Sequence, residues 1–434
     1  MKKRYVLLGL LVLLVVVAMM AVACGGETTT TAAPSTQTTA APTTTAAPST
    51  TAAPSTDTTA GGPATGEPIK IGFSNSLTGV SAAPGASVDN GVKLQVEFVN
   101  ANGGINGRPL ELVEYDDKSD VPTAIANINK MIQQDKVFAT IGPFAQFMQE
   151  PARGIAEQTQ TPMVGGGPAT LDQLAGNQYQ WSIMMSAAPP THADALEKII
   201  AGAGWKNILS IADVLSIHQE TLDLLVKDGP SKGFTVTKMP DTFGFDVTDF
   251  QPIINRIMEE YNKLKPDAIL LFVNPIAVPA LYKGLRSLNV TVPIQGSPAG
   301  AHPAIFAMGP DAVEGFLVLD SGGIVNPAAL PDSWPLKSLQ MEFAQRYQAK
   351  YNQPPDFFAA FGADFIIVLT EALKKAGGAD DKAKLQQALI NLTDLPTLEG
   401  IQTFTPQATS QGVKGNMVEF QVKGAQFQLL SAVN

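Results

Sequence analysis

From Pro68 onward, short apolar runs of strand length alternate with segments whose apolar residues recur at helical spacing. That alternation restricts the chain to parallel sheets flanked by helices. Ile69, Ile71 and Phe73 alternate with Lys70 and Gly72, a strand pattern. Val88, Val92, Val96 and Val99 fall on one face of a helix expected over Gly85–Asn100, which Asn102-Gly103-Gly104 stops. Further strands are expected from Leu110 through Val113, ending in Tyr115-Asp116-Asp117, and at Val137–Gly142, Met163-Val164, Ile208–Ala212, Phe234–Met239, Asp267–Val273 and Pro293–Gln295. Helices are expected around Ile125–Ile132, Ala195–Ile200, Leu222–Val226, Phe250–Leu264 and Ala277–Leu288. So many units exceed one ordinary sheet, and the reading is two doubly wound α/β lobes. Ligands of such sheets bind outside the carboxyl ends of the strands. Here those ends are the loops Ser74–Gly79, Pro143–Phe147, Gly165–Thr170, Asp213–His218, Asn274–Ile276 and Gly296–Gly300.

The first 66 residues are not fold material. Lys2, Lys3 and Arg4 precede an apolar run from Leu7 to Met20, and Ala21-Val22-Ala23 leads into Cys24, the only Cys of 434 residues. This is the layout of a secretory signal over 1–23. Small residues abutting a lone Cys resemble the bacterial lipobox, which implies a lipid on Cys24; Ala21 stands where Leu is more usual. An ordinary signal peptide with an incidental Cys is the plainer alternative, and the run is short of the ~20 residues that span a bilayer. Residues 24–66 are rich in Thr, Ala and Pro, and TAAPST recurs at 31–36, 45–50 and 51–56. Such a composition does not offset the entropy of ordering, so a tether is expected; as a flexible coil of about 40 residues its ends average roughly 35 Å apart.

The net charge of -10 argues against a nucleic-acid partner. It also repels an anionic membrane surface, leaving attachment to the lipid on Cys24. One Cys excludes a disulfide framework and a Cys-based zinc site, and His192, His218 and His302 lie on separate segments without metal-ligand spacing. No metal or cofactor is expected. The chain lacks G-x-G-x-x-G after the first strand, a phosphate loop and a G-x-S-x-G elbow, so no enzyme is expected. Asp116-Asp117, beside Lys118, reads as a structural pair in preference to acid/base machinery.

KIGFSNSLTG, NGGINGRPLELVEYDDKSD, ATIGP, PDAILLFVNP, GPDAVEGFLVLD and FGADFIIVLTEALKKAG, in this order, resemble the periplasmic binding proteins of the leucine/isoleucine/valine type over about 68–434. The resemblance implies two lobes joined by a hinge that the chain crosses three times, a type 1 periplasmic binding fold. It implies a first lobe of about 67–187 plus 321–404 and a second of about 188–320 plus 405–434. It further implies a monomeric, extracytoplasmic receptor, at the cell surface or in the periplasm, that closes on a small solute and serves an ABC permease with its ATPase subunits. A surface lipoprotein that signals through a membrane partner is the alternative; a receptor of that kind is expected to carry a C-terminal membrane or signalling segment, which the sequence up to Asn434 does not show.

Amino-acid binders of the family hold the α-carboxylate with hydroxyls and backbone N–H groups of the first lobe and the α-ammonium with an acid of the second. A zwitterion leaving water needs both charges met. Here Gln146, Phe147 and Met148 replace the Ser/Thr cluster, while Thr170 and the N–H groups of Gly166, Gly167 and Ala169 remain for a carboxylate. Pro298 falls at or near the position of the acid. The expected aromatics near Asn274 and Ile217 are missing, leaving polar Asn274 and His218. The resemblance therefore implies a carboxylate, amide or neutral solute with an apolar part and no simple ammonium. Each residue also has a plainer reading: Phe147 and Met148 as core, Thr170 as a helix cap, His218 as a solvated helix start, Asn274 as a turn former, and Met163, Met184 and Met185 as packing. Trp181 is expected under the cleft.

Overall fold

The structure, a computed structural model, describes residues 62–433 except 177, 178, 411, 412 and 415. The expected signal peptide, Cys24 and the tether up to residue 61 lie outside the described residues.

The first sheet is built from β1 (Ile69–Asn75), β2 (Leu110–Asp116), β3 (Ala139–Ile141), β4 (Met163–Gly165) and β5 (Ser182–Met184). Between them run α1 (Ala82–Ala101), α2 (Val121–Lys130), α3 (Gln149–Thr159) and α4 (Leu171–Ala175). Its order is β2-β1-β3-β4-β5, all parallel. The chain then passes to a second sheet through α5 (Pro189–Ala203), β6 (Asn207–Ala212), α6 (Ser216–Lys232), β7 (Thr235–Lys238), α7 (Gln251–Leu264), β8 (Ala268–Phe272), α8 (Val278–Ser287), β9 (Ile294–Gly296) and β10 (Leu317–Ser321). It returns to the first lobe with α9 (Lys337–Tyr351), α10 (Phe357–Lys375) and α11 (Lys382–Leu389). A small sheet of β11 (Leu395–Pro396), β12 (Ile401–Gln402) and β13 (Val413–Lys414) follows. The hairpin β14 (Met417–Lys423) and β15 (Gln426–Val433) finally re-enters the second sheet. The chain thus crosses between two doubly wound lobes three times, the fold class expected.

The second sheet runs β15-β14-β10-β9-β8-β6-β7, and only the β10–β14 and β14–β15 pairs are antiparallel. Its parallel part repeats the order of the first sheet. β8 shows why: its unbroken apolar run feeds two cores, Ala268, Leu270 and Phe272 on one face and Ile269 and Leu271 on the other. Helices must then cover both faces.

The helix α3 was not apparent from periodicity, because QEPARGIAEQT is mostly polar and only Ala152, Ile155 and Ala156 reach the core. The helix expected around Ile125–Ile132 begins earlier, at Val121 (α2), and closes in a π turn at Met131–Asp135. Met148, Met163, Met184 and Met185 are all core. The first lobe is locked by α1 and α10. A Cβ on Gly91 would lie 1.9 Å from the carbonyl oxygen of Ala359, and one on Gly362 would lie 2.1 Å from that of Val88. The two helices touch backbone to backbone, which only glycine permits.

Candidate functional site

In both sheets the strand order reverses at the second strand, between β1 and β3 in one and between β6 and β8 in the other. Loops leaving the strands on either side of such a reversal diverge and open a crevice. The two crevices face each other and form one cleft of about 1000 Å³, its open mouth included. Val80 and Ser81 follow β1 there, and Phe144–Phe147 follow β3. Leu215, Ile217 and His218 follow β6, and Asn274–Ile276 follow β8. Phe357, Phe358 and Phe361, from the start of α10, complete the first lobe's wall.

Of the residues expected at the site, Gln146, Phe147, Gly167, His218, Asn274 and Pro298 line this cleft. Gln146 spans the two lobes: its Nε2 donates to Pro168 O at 3.1 Å and its Oε1 accepts the N–H of Ile217 at 3.4 Å. Phe147 is exposed, at 39%. Asn274 is a turn former as its chemistry suggests, since Oδ1 accepts the N–H groups of Ile276 (3.2 Å) and Ala277 (3.1 Å).

Gly166, Ala169 and Thr170 stand away from the cleft lining. Gly166 packs against Phe361 and Phe365, and its carbonyl accepts Ser186 Oγ at 2.9 Å. Ala169 is wholly buried. Thr170 closes a capping box on α4: its Oγ1 accepts Gln173 N–H at 3.3 Å, and its own N–H donates to Gln173 Oε1 at 2.9 Å. Trp181 packs with the α2–α3 cluster and is not a lining residue.

His218 is buried, not a solvated helix start. Its Nδ1 lies 2.7 Å from Asp213 Oδ1. Asp213, the residue after β6, is wholly buried and also accepts the N–H groups of Leu215 (3.1 Å) and Asn274 (2.7 Å). One carboxylate therefore ties together both loops of the second lobe's crevice. His192, from the first turn of α5, was not expected at the site. It lines the cleft, and burial, with a smaller contribution from His218, lowers it to about 3, so its ring is neutral. Its Nδ1 has no hydrogen-bond partner. Its signal was available: His192 precedes Leu196, Ile199 and Ile200 at helical spacing and so shares their inward face.

Asp116 and Asp117 are structural. Asp117 accepts Ser76 Oγ at 2.6 Å, and Asp116 accepts Thr78 Oγ1 at 2.7 Å and the N–H of Lys118 at 2.8 Å, bracing the loop after β1.

Among the described residues lining the cleft there is no Asp, Glu, Lys or Arg. Carboxyls gather instead beside the crossings. Burial pushes Asp320, at the end of β10, up to about 8. Burial also pushes Asp364 of α10 up to about 7, although it accepts the N–H groups of Leu398 (2.8 Å) and Glu399 (3.0 Å). Glu399 is held well above the carboxylate range by burial and then by Asp364 and Asp320. The described residues contain no group of His, Cys, Asp and Glu side chains suited to a metal ion.

A model of the periplasmic binding protein family matches residues 68–426. The leucine-specific-binding protein of Salmonella typhimurium is 27% identical over 197 residues, 45% of this chain and 53% of that protein, so the match spans about half the length of the curated relative. A leucine binding protein from Thermotoga maritima superposes with a TM-score of 0.72 at 22% identity, covering 84% of this chain and 99% of that one. A solute binding protein from Rhodopseudomonas palustris in complex with benzoate gives 0.69 at 21% identity, covering 85% and 96%.

Proposed function

The chain belongs to the periplasmic binding protein family, and we propose that it is the extracytoplasmic receptor of an ABC importer, a monomer that captures a small solute between its lobes and presents the closed form to a permease. The observation that carries this reading is the cleft itself. It lies where the strand order reverses in both lobes, it draws its walls from both, and Gln146 bridges it to Ile217. A solute seated there touches both lobes only when they close, so its differential affinity for the closed form drives closure. Micromolar affinity, about -8 kcal/mol, suffices for capture.

The solute we propose has an apolar body and a carboxylate or amide, but no ammonium. Among the described residues no Asp or Glu lines the cleft to meet a positive charge directly, and burying one without such a partner costs more than the contacts return. A neighbour of the same fold is bound to benzoate, a carboxylate without an ammonium, so the fold accommodates this class, although the leucine binder is as similar to this chain. Calorimetric titration with leucine, isoleucine and valine is expected to show no micromolar binding; such binding by any of them overturns this choice. For the receptor role itself, small-angle scattering of the protein with and without solute co-purified from its own cells is expected to show compaction. An unchanged radius of gyration sinks the closing-lobe reading.

We further propose that Cys24 carries the lipid that holds the protein to the membrane, with 24–66 as the spacer. Cys24→Ala is expected to release the protein from the membrane fraction.

A further inference from the structure

We propose that the cleft takes an aromatic monocarboxylate together with one proton, and that His218, backed by Asp213, is where that proton is held. The inference rests on the solute-receptor reading and names its substrate class.

The aromatic half of the argument comes from the walls. Phe144, Phe147, Phe245, Phe357, Phe358 and Phe361 all line the cleft. Phe357 and Phe358 are edge to face at 5.1 Å, and Phe144 meets Phe358 across 6.1 Å. Such rings favour a flat aromatic guest through offset and edge contacts beyond simple area burial.

The proton comes from hydrogen-bond counting. Asp213 accepts two backbone N–H groups, so its oxygens are acceptors and the hydrogen in the 2.7 Å contact sits on His218 Nδ1. That assignment leaves Nε2, on the opposite edge of the ring, with a lone pair. His192 adds a neutral ring with an unpartnered Nδ1. At this corner the wall thus presents the His218 lone pair beside a buried carboxylate, with no lining Lys or Arg among the described residues. A bare carboxylate brought against it adds a second negative charge with no cation to meet it. Taking one proton from solvent onto Nε2 resolves the conflict, because carboxylate, imidazolium and Asp213 then alternate in charge. The N–H bond forms as the bond to hydrogen in a hydronium ion or buffer acid breaks, and no other bond changes.

The charged and titratable neighbours of His218 leave it this role. Asp213 reaches it from the loop after β6, and His192 acts on it from α5. From β8, Phe272 packs its ring edge-on at 5.7 Å. Glu220, next along α6, is engaged with the N–H of Leu171 at 2.7 Å, and Lys238 of β7 pairs with Asp223.

The test is titration calorimetry of the full chain with benzoate and with benzamide, its uncharged counterpart, from pH 6 to 8.5 in buffers of different ionisation enthalpy. Benzoate is expected to take up about one proton at the alkaline end, its Kd rising about tenfold per pH unit there by linkage. Benzamide is expected to bind more weakly and without pH dependence. His218→Gln is expected to weaken benzoate at least tenfold and to remove its proton uptake. His192→Gln, a second variant, is expected to weaken benzoate while keeping the proton uptake. Benzoate binding without proton uptake, or benzamide binding the tighter, overturns the proton-coupled site while leaving the receptor reading intact. No binding by either overturns the aromatic class, and the scattering experiment then decides the receptor reading separately.

Discussion

The two lobes share one topology and divide the chemistry of the cleft between them. β2-β1-β3-β4-β5 and β7-β6-β8-β9-β10 are the same winding. Yet the first lobe's wall is mainly aromatic, because α10 returns across the hinge and sets Phe357, Phe358 and Phe361 beside the loop after β3. The second lobe's wall carries the histidines, and behind it Asp213, just past β6, holds His218 in the first turn of α6. Strand order decides where a crevice opens; what the crevice binds is decided by a few residues at strand ends and by whichever helix the chain sends back.

The largest expected effect separates the lobes by stability. Gly362→Val forces α10 off α1 and is expected to cost upwards of about 3 kcal/mol, read as loss of soluble yield or a fall in melting temperature. Gly296→Ala in the second lobe meets chiefly the Phe316 ring, Cζ at 2.3 Å and Cε1 at 2.9 Å, which can turn aside more readily than backbone, and is expected to cost less. If the two variants melt alike, the first lobe has no special dependence on the α1–α10 contact.

Asp213→Asn comes next. It leaves the N–H of Asn274 or the Nδ1 of His218 poorly matched, at about 1–3 kcal/mol. It is also expected to weaken solute binding at least tenfold by calorimetry. Gln146→Ala, its counterpart on the first lobe, removes the bridge to Ile217 and the bond to Pro168 O and is expected to weaken binding a few-fold.

A third effect concerns the crossings between the lobes. Asp320, Asp364 and Glu399 have raised values in the folded protein, so between about pH 4 and 8 the folded chain keeps protons that the unfolded chain releases. Stability from these groups is therefore complete below about pH 4 and is lost as pH rises towards 8. Glu399→Gln is expected to flatten that decline, by about 5 °C in melting temperature at pH 8. A variant that melts in parallel with the parent at every pH argues that Glu399 takes no part. The smallest effect is Thr170→Ala, expected to cost about 1 kcal/mol as a lost cap. It is expected to leave solute affinity unchanged, and a tenfold loss would return Thr170 to the site.

Local patterns carried most of the architecture. A strand that alternates, such as β1, or one buried on both faces, such as β8, declares itself within a few residues, because the period of side-chain direction is a property of the local backbone. The helix faces of α1 and α7 follow in the same way, and so do the loops at the strand ends that line the cleft. α3 did not declare itself, since its polar sequence acquires a buried side only by packing. Nor was Thr170 separable from the site by its sequence, because a capping hydroxyl and a ligand-binding one look alike until the helix after it is in place. What only the tertiary structure decided was company. His192 and His218 come from different helices and share one wall, Asp213 turns an apparent surface histidine into a buried pair, and three carboxyls from separate segments meet beside the crossings. Such meetings depend on the chain closing over long distances. No local period encodes them, and only the packed lobes bring them within hydrogen-bonding or Coulombic reach.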